Sequence, residues 1–402
     1  MADAGWRRWA LWSLVALAAI VGGAVLTQRL MTMPIGVSDF NAYWAASRLL
    51  LEGRNSSDPD NMLEMERAHF NPDQDFVMMT WNPPTLWVFM LPLAWMPFEV
   101  ARSIWLLVNV ALIVVSCLML GLIYLPRGDI APLLTYYLVM ALFSPMLLAI
   151  LTGQIVFLFV FGVAASMFLI KRERWFWAGV VLILTSIKPH MVMLVAPYLM
   201  FYMAMRRKWA GWIGLGVAGA ICLVILFILR PSWIADFSAL LDAPPIDWAT
   251  PTIGGFLSLY GVGPWLRYVG MGFLLLLPLF LCRPKPVSLE TAASVLILMT
   301  VPTTFFGWSY DQSVLLVPIA QIVGWLFSPV RSVVGRWAVI AAMVVTMVVN
   351  MAQRVAKTSD VYFFWVPLAW GMIYALASWL VDRRGAYDLR KQVDGNPGGL
   401  RG

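Results

Sequence analysis

The residues of this chain that could do chemistry sit in five short polar motifs set between long apolar runs. They are Ser38-Asp39-Phe40, Trp81-Asn82-Pro83-Pro84, Thr152-Gly153-Gln154, Lys188-Pro189-His190 and Trp308-Ser309-Tyr310-Asp311-Gln312. A carboxylate such as Asp39 can take a proton from a hydroxyl. Lys188 and His190 can stabilise developing negative charge. Asn82, Gln154, Tyr310 and Asp311 offer amide, phenol and carboxylate groups for hydrogen bonds. Trp81 and Trp308 bring large faces for stacking. Each residue also has a plainer reading. Asp39 after Ser38 is good helix-capping chemistry, and Asp311 beside Tyr310 can cap a loop. Gln154 can bond a neighbouring helix, and most tryptophans belong to an interfacial belt. Lys188 can snorkel to an interface.

Elements that could hold five such motifs together must be read from the composition. The chain has 402 residues, of which 61% are hydrophobic and 12% charged, with 21 tryptophans. Soluble domains carry about twice that charge. Mean hydropathy is +0.80. A soluble enzyme, a disordered chain and a collagen-like chain are therefore excluded. A β-barrel is disfavoured because runs such as 9–26 lack in-out alternation. The expected class is an all-α polytopic membrane protein. Cys117, Cys222 and Cys282 lie in or beside apolar runs and read as packing residues. Two histidines, His69 and His190, leave no His-rich metal site. The net charge of +7 does not imply nucleic acid, because the basic residues form short clusters between apolar runs.

A spanning helix needs about 20 apolar residues. Twelve spans are expected, near 9–28, 103–125, 131–150, 154–170, 175–187, 190–205, 209–229, 263–281, 287–301, 312–328, 336–353 and 361–380; 175–205 alternatively forms one bent span. Clusters Arg7-Arg8, Lys171-Arg172-Arg174, Arg206-Arg207-Lys208, Arg283/Lys285, Arg331/Arg336 and Arg383-Arg384 then share one side. The positive-inside rule makes that side cytoplasmic. It holds 18 Lys/Arg and 7 Asp/Glu, against 10 and 14 on the other side. Thr85–Pro97, between prolines, is too short to cross and reads as an interfacial or re-entrant helix. The first outer loop, 31–102, carries nine acidic residues, and a second spans 230–262. Residues 1–385 form a single transmembrane domain, with a cytoplasmic tail over 386–402. In this topology all five motifs fall on the outer side. Lys188 there runs against the positive-inside bias, which favours a functional role.

The order of the motifs resembles a known family. Ser38-Asp39-Phe40, Tyr43 and Ala45, then Leu51-Glu52-Gly53, then Trp81-Asn82-Pro83-Pro84 with Pro92 and Pro97, is similar to the start of polyprenol-phosphate-sugar-dependent membrane glycosyltransferases. More narrowly it looks like glycosyltransferase family 87, the bacterial mannosyltransferase-like group. Gly153-Gln154, Trp177-Ala178-Gly179 and Ile187-Lys188-Pro189 resemble the same family's central segment. Where the family often has a tryptophan followed by paired histidines, this chain has Trp308-Ser309-Tyr310-Asp311.

The resemblance implies a GT-C-like bundle and an inverting transfer of a sugar, mannose by default, from a polyprenyl-phosphate donor to a lipid or glycan acceptor. It implies a multi-pass protein of the bacterial cytoplasmic membrane with its site facing outward. The family's catalytic acid maps onto Asp39. Lys188, His190 and, more remotely, Arg48 would bind the donor phosphate. Asn82, Gln154, Tyr310, Asp311, Trp81 and Trp308 would bind substrate. No metal or cofactor is expected, and the cytoplasmic loops offer no nucleotide-binding domain. The rival readings are a lipid-linked sugar flippase or transporter, a polysaccharide polymerase or ligase, and a non-catalytic assembly subunit.

Overall fold

The computed structural model describes residues 39–126, 130–242, 248–277, 287–329 and 332–380. The expected first span, Ser38 and the tail lie outside them. All regular secondary structure among the described residues is helical, with no strand.

The segment expected as the first outer loop is folded from Asp39 onward. Helix α1, Phe40–Leu51, buries nearly every side chain. It ends at Gly53, whose φ of 70° lets the N–H groups of Gly53 and Arg54 turn back onto Leu50 and Leu49 carbonyls. Helix α2, Pro59–His69, starts with Pro59 in its first turn, and the Asp58 carboxylate accepts from the amides of Asp60 and Asn61. Helix α3, Thr85–Ala94, is ten residues long. At about 1.5 Å per residue it cannot cross a ~30 Å hydrocarbon layer. It packs on α1: Trp44 Nε1 donates to the Met96 carbonyl at 3.3 Å, and Arg48 Nη1 to the Ala94 carbonyl at 3.1 Å.

Among the described residues, four helices are long and apolar enough to cross a membrane: Phe98–Tyr124 (α4), Trp209–Leu229, Val333–Val355 and the stretch Asp360–Leu380. Helix α4 shows why. Ala101, Trp105, Asn109, Ile113, Cys117 and Leu120 form a buried stripe at helical spacing, while Leu107, Val110, Val114, Leu118 and Leu122 are exposed. Exposed apolar side chains over so long a helix suit lipid rather than water. The chain is a multi-pass membrane protein.

The bent pair α5, Ala131–Leu142, and α6, Ser144–Leu151, which meet at 59°, adds a fifth crossing if it is one broken span rather than a re-entrant loop. Pro145 occupies the first turn of α6, where its missing N–H is harmless, and Phe143 between the two helices is extended.

Among the described residues, four helices and one bent pair pass by length; of the twelve expected spans, the first and part of the eighth lie outside those residues. The remaining spans are shorter or broken. Helix α7, Val156–Lys171, has sixteen residues, twelve of them buried. Helix α8, Trp175–Leu182, continues as 3₁₀ turns at Ile183–Ile187 and Pro189–Val192 before α9, Val195–Met205. The expected span 263–281 begins as short turns, Pro264–Tyr268, Val269–Gly272 and Phe273–Leu276, then leaves the described residues. Helix α10, Trp209–Leu229, crosses α8 at glycines. A Cβ on Gly179 would lie 1.8 Å from the Gly211 carbonyl oxygen, and one on Gly214 would lie 2.0 Å from that of Phe176. Small residues let two membrane helices approach backbone to backbone. Later come α11, Trp233–Leu241, α12, Ile253–Ser258, α13, Leu289–Thr303, α14, Leu316–Leu326, α15, Val333–Val355, and α16, Trp365–Leu380.

Candidate functional site

The site grows from a break in a helix. Proline cannot donate its amide, and it drives the preceding residue out of the helical region. Pro189 does this to Lys188, which sits at φ −149° and ψ 63° between two 3₁₀ turns. Its side chain is only 6% exposed. An ammonium buried to that degree needs a partner, and Asp311 supplies it. Lys188 Nζ donates to both Asp311 oxygens at 2.7 Å, and Asp311 is 0% exposed. The Asp311 Oδ2 also accepts from the Trp308 amide at 2.8 Å, in the first turn of the 3₁₀ helix Ser309–Leu315. Its loop-capping reading and its charged role are therefore both realised. The Lys188 ammonium lies 5.0 Å from the Tyr310 ring centroid, a cation–π distance.

Asp39 faces this pair from α1. It occupies the N-cap position, yet its carboxylate makes no capping hydrogen bond. Burial pushes its carboxyl up to about 6; the Lys188 charge lowers it and the Asp311 charge raises it. Both charges act on Asp39 although they lie 149 and 272 positions along the chain. Tyr43, one turn further on, donates its hydroxyl to Gln154 Oε1 at 2.9 Å. Gln154 follows Gly153, whose φ of 68° makes the turn between α6 and α7. Trp105 Nε1 holds that turn by donating to the Gly153 carbonyl at 2.7 Å. Gln154 Nε2 is buried with no hydrogen-bond partner among the described residues.

Asn82 ties the segment before α3 onto the break: its Nδ2 donates to the Ile187 carbonyl at 3.1 Å. Ser186 and Thr85 hydroxyls meet beside it at 3.0 Å. His190 packs against Phe305 and Phe306, with ring centroids at 5.2 and 6.2 Å, and its Nε2 is buried without a partner among the described residues. Trp308 stacks on Tyr310 at 6.4 Å and contacts Trp248 at 5.6 Å. Trp81 is half-buried in the loop before α3.

The structure thus brings Asp39, Gln154, Lys188, His190, Tyr310 and Asp311 around one break. Arg48 stands apart. It lies in the last turn of α1 and pairs with Glu52 at 2.8 Å.

The segment between α1 and α3 contains two Asp-x-Asp triplets, Asp58-Pro59-Asp60 and Asp73-Gln74-Asp75. Asp58 is spent on capping α2. Among the described residues no group of three His, Cys, Asp or Glu is arranged to hold a metal ion.

Sequence reasoning missed a second ion network beside the site. Asp360, opening the 3₁₀ turn Asp360–Phe363, accepts from the amide of Ser309 at 2.9 Å and from its hydroxyl. Arg354, at the end of α15, donates to Asp360 at 3.2 Å and to the Ser309 hydroxyl at 2.7 Å. The two residues flank the short connection 356–359 between apolar runs, where an Arg and an Asp six apart are the available signal.

Residues 80–329 match Glycosyltransferase family 87. The chain belongs to glycosyltransferase family 87. The matched stretch holds Asn82, Gln154, Lys188, His190, Tyr310 and Asp311. No curated protein and no solved structure matches the chain. Asp39 and Tyr43 precede the matched stretch, and the fold alone joins them to the family 87 segment. The chain is accordingly a membrane glycosyltransferase of family 87.

Proposed function

We propose that this family 87 protein transfers a sugar, mannose by default, from a polyprenyl-phosphate donor to a hydroxyl of a lipid-linked or glycan acceptor, with inversion, at the outer face of a bacterial cytoplasmic membrane. The acceptor oxygen attacks the anomeric carbon while the bond to the donor phosphate breaks. Asp39 takes the hydroxyl proton, and polyprenyl phosphate leaves with its negative charge. Lys188 and His190 stabilise that charge. Gln154, Tyr310 and Asp311 orient sugar hydroxyls, Trp81 and Trp308 stack on the substrate, and Asn82 contributes by holding the Lys188 segment. The twelve-span topology, with short or broken helices around the site and α3 lying at the interface, belongs to the same reading, as does a GT-C arrangement.

One observation carries the proposal. A half-buried carboxylate at a helix N-terminus makes no capping hydrogen bond and lies within electrostatic reach of a lysine–aspartate pair. An acid raised toward neutral pH is well matched to general-base work. The unpartnered Nε2 atoms of Gln154 and His190 add hydrogen-bonding capacity nearby that the described residues do not use.

The test is transfer by purified protein in detergent, given labelled polyprenyl-phosphate mannose and acceptor lipids. Transport needs a sealed membrane and transfer does not, so turnover in detergent separates an enzyme from a flippase. Asp39→Asn should cost about 10²–10⁴-fold in turnover, and Lys188→Ala should weaken donor use. Full turnover by Asp39→Asn removes Asp39 as the base. Unchanged donor kinetics in Lys188→Ala remove Lys188 from the phosphate site.

A further inference from the structure

Asp311 contacts Lys188 only if the segment Trp308–Asp311 keeps its path, and that path is held from behind. Ser309 is fully buried, and both its amide and its hydroxyl point at the Asp360 carboxylate. Arg354 closes the triangle by reaching Asp360 and the Ser309 hydroxyl with different nitrogens. Its guanidinium carbon lies 3.9 Å from the Phe363 ring centroid, which fixes the plane of the fork. A further hydrogen bond ties the two elements: Gln312 Nε2 donates to the Phe363 carbonyl at 3.0 Å. The two residues beyond Ser309 are Tyr310, over which Lys188 sits, and Asp311, which Lys188 grips with two bonds.

We infer that Arg354 and Asp360 are positioning residues: with Ser309 they form a clamp that fixes Tyr310 and Asp311 against Lys188, so that the hairpin of α15 and α16 sets the geometry of the charged site. This rests on the reading of the Lys188–Asp311 pair as part of the transfer site. The geometry favours a clamp over a simple surface ion pair. An isolated exposed pair contributes little. Here each partner also bonds the same buried serine, and the planar arginine fork spans the carboxylate with one nitrogen and the serine hydroxyl with another, which adds orientation to attraction. Both residues lie beyond the stretch that matches family 87, which ends at 329.

The experiment uses the purified full chain and has two readouts. Hydrogen exchange of peptides covering 308–315 reports the clamp directly. Transfer from polyprenyl-phosphate mannose reports its use. Arg354→Gln and Asp360→Asn should speed exchange of the 308–315 amides at least tenfold and lower kcat about 10–100-fold, with donor KM moving less than threefold. Arg354→Lys, which keeps one contact, should recover part of both. The Arg354→Gln/Asp360→Asn double variant should lose little more than either single, because the partners act as one unit. Unchanged exchange in both single variants overturns the clamp. Faster exchange with wild-type kcat overturns its positioning role. Failure of the functional reading looks different: the wild-type chain itself then shows no transfer, while the exchange readout still decides whether the clamp exists.

Discussion

Replacing Asp311 by Asn takes away the carboxylate that Lys188 grips at 2.7 Å through both oxygens, without changing the shape of the side chain. The lysine side chain is 6% exposed and its partner 0%, so water cannot take over the lost interaction in place. Breaking a buried pair by neutralising one member costs about 3–5 kcal/mol, because it strands the other charge. The Trp308 amide loses little, since the asparagine carbonyl oxygen can still accept from it. The expected outcome is therefore a fall of about 3–5 kcal/mol in unfolding free energy, dominated by stranded Lys188. Removing both charges tests this. Lys188→Met with Asp311→Asn should be more stable than Asp311→Asn alone, with a coupling of roughly 2–3 kcal/mol. The assay is denaturant unfolding in mixed micelles, followed by tryptophan fluorescence, on the wild type, both single variants and the double. A loss under about 1 kcal/mol in Asp311→Asn, or additive single effects, would refute the buried-pair reasoning.

The remaining expectations concern proton chemistry, packing and topology. The Asp39 carboxyl sits at about 6, above its ordinary 3.8. As a base it works only when ionised, so kcat/KM should fall with unit slope below about pH 6; a rate flat down to pH 5 contradicts the assignment. The stability term has the opposite sign. The folded state binds more protons at Asp39 than the unfolded state between about 4 and 6, so this contribution weakens as pH rises through that window, and Asp39→Asn should flatten it in a melting-temperature series. Burial likewise raises Glu66 to about 7, while the Met78 amide and Gln74 side chain, which donate to it, pull it down. Its contribution to folding should therefore weaken as pH rises from about 4.5 through 7, and Glu66→Gln should remove that slope from the same series. Gly179→Ala forces a methyl group toward the Gly211 carbonyl and should cost about 1–3 kcal/mol or more. Gly216→Ala meets nothing within 4 Å and should be near neutral; equal melting temperatures for the two variants would contradict the close crossing. Single cysteines placed near Asp75 and near Arg172 should label from opposite sides of the membrane, and labelling of both from one side would overturn the orientation.

Much of the membrane character was legible because it depends on local composition. Helix α4 announces itself through an unbroken apolar run, and its buried stripe follows the helical period. The stop of α1 at Glu52-Gly53 was equally local: glycine reaches a positive φ without a Cβ clash. How each expected span is built was not, because apolar runs of similar hydropathy become long helices, bent pairs or 3₁₀ turns according to where prolines and tertiary contacts interrupt them. The bend before Pro145 and the break at Lys188-Pro189 are two such places. Arg48 shows a different limit. A cation nine residues from Asp39 on the same helix looks available in sequence, but at about 1.5 Å per residue it is carried roughly 13 Å along the axis, to Glu52 and the end of α3.

The sequence by itself determined the class of protein, the five polar motifs and the break that Pro189 imposes on Lys188, since composition, charge bias and proline geometry are properties of near neighbours. Only the tertiary structure decided which motif residues meet. Tyr43 finds Gln154 across 111 positions, Lys188 finds Asp311 across 123, and Ser309 finds Asp360 across 51. It also decided that the Asp39 carboxylate is left free of its capping role and that Arg354 and Asp360 stand behind the charged pair. Such pairings follow from how the helices pack and from the need to satisfy each buried charge, and no local spacing encodes them.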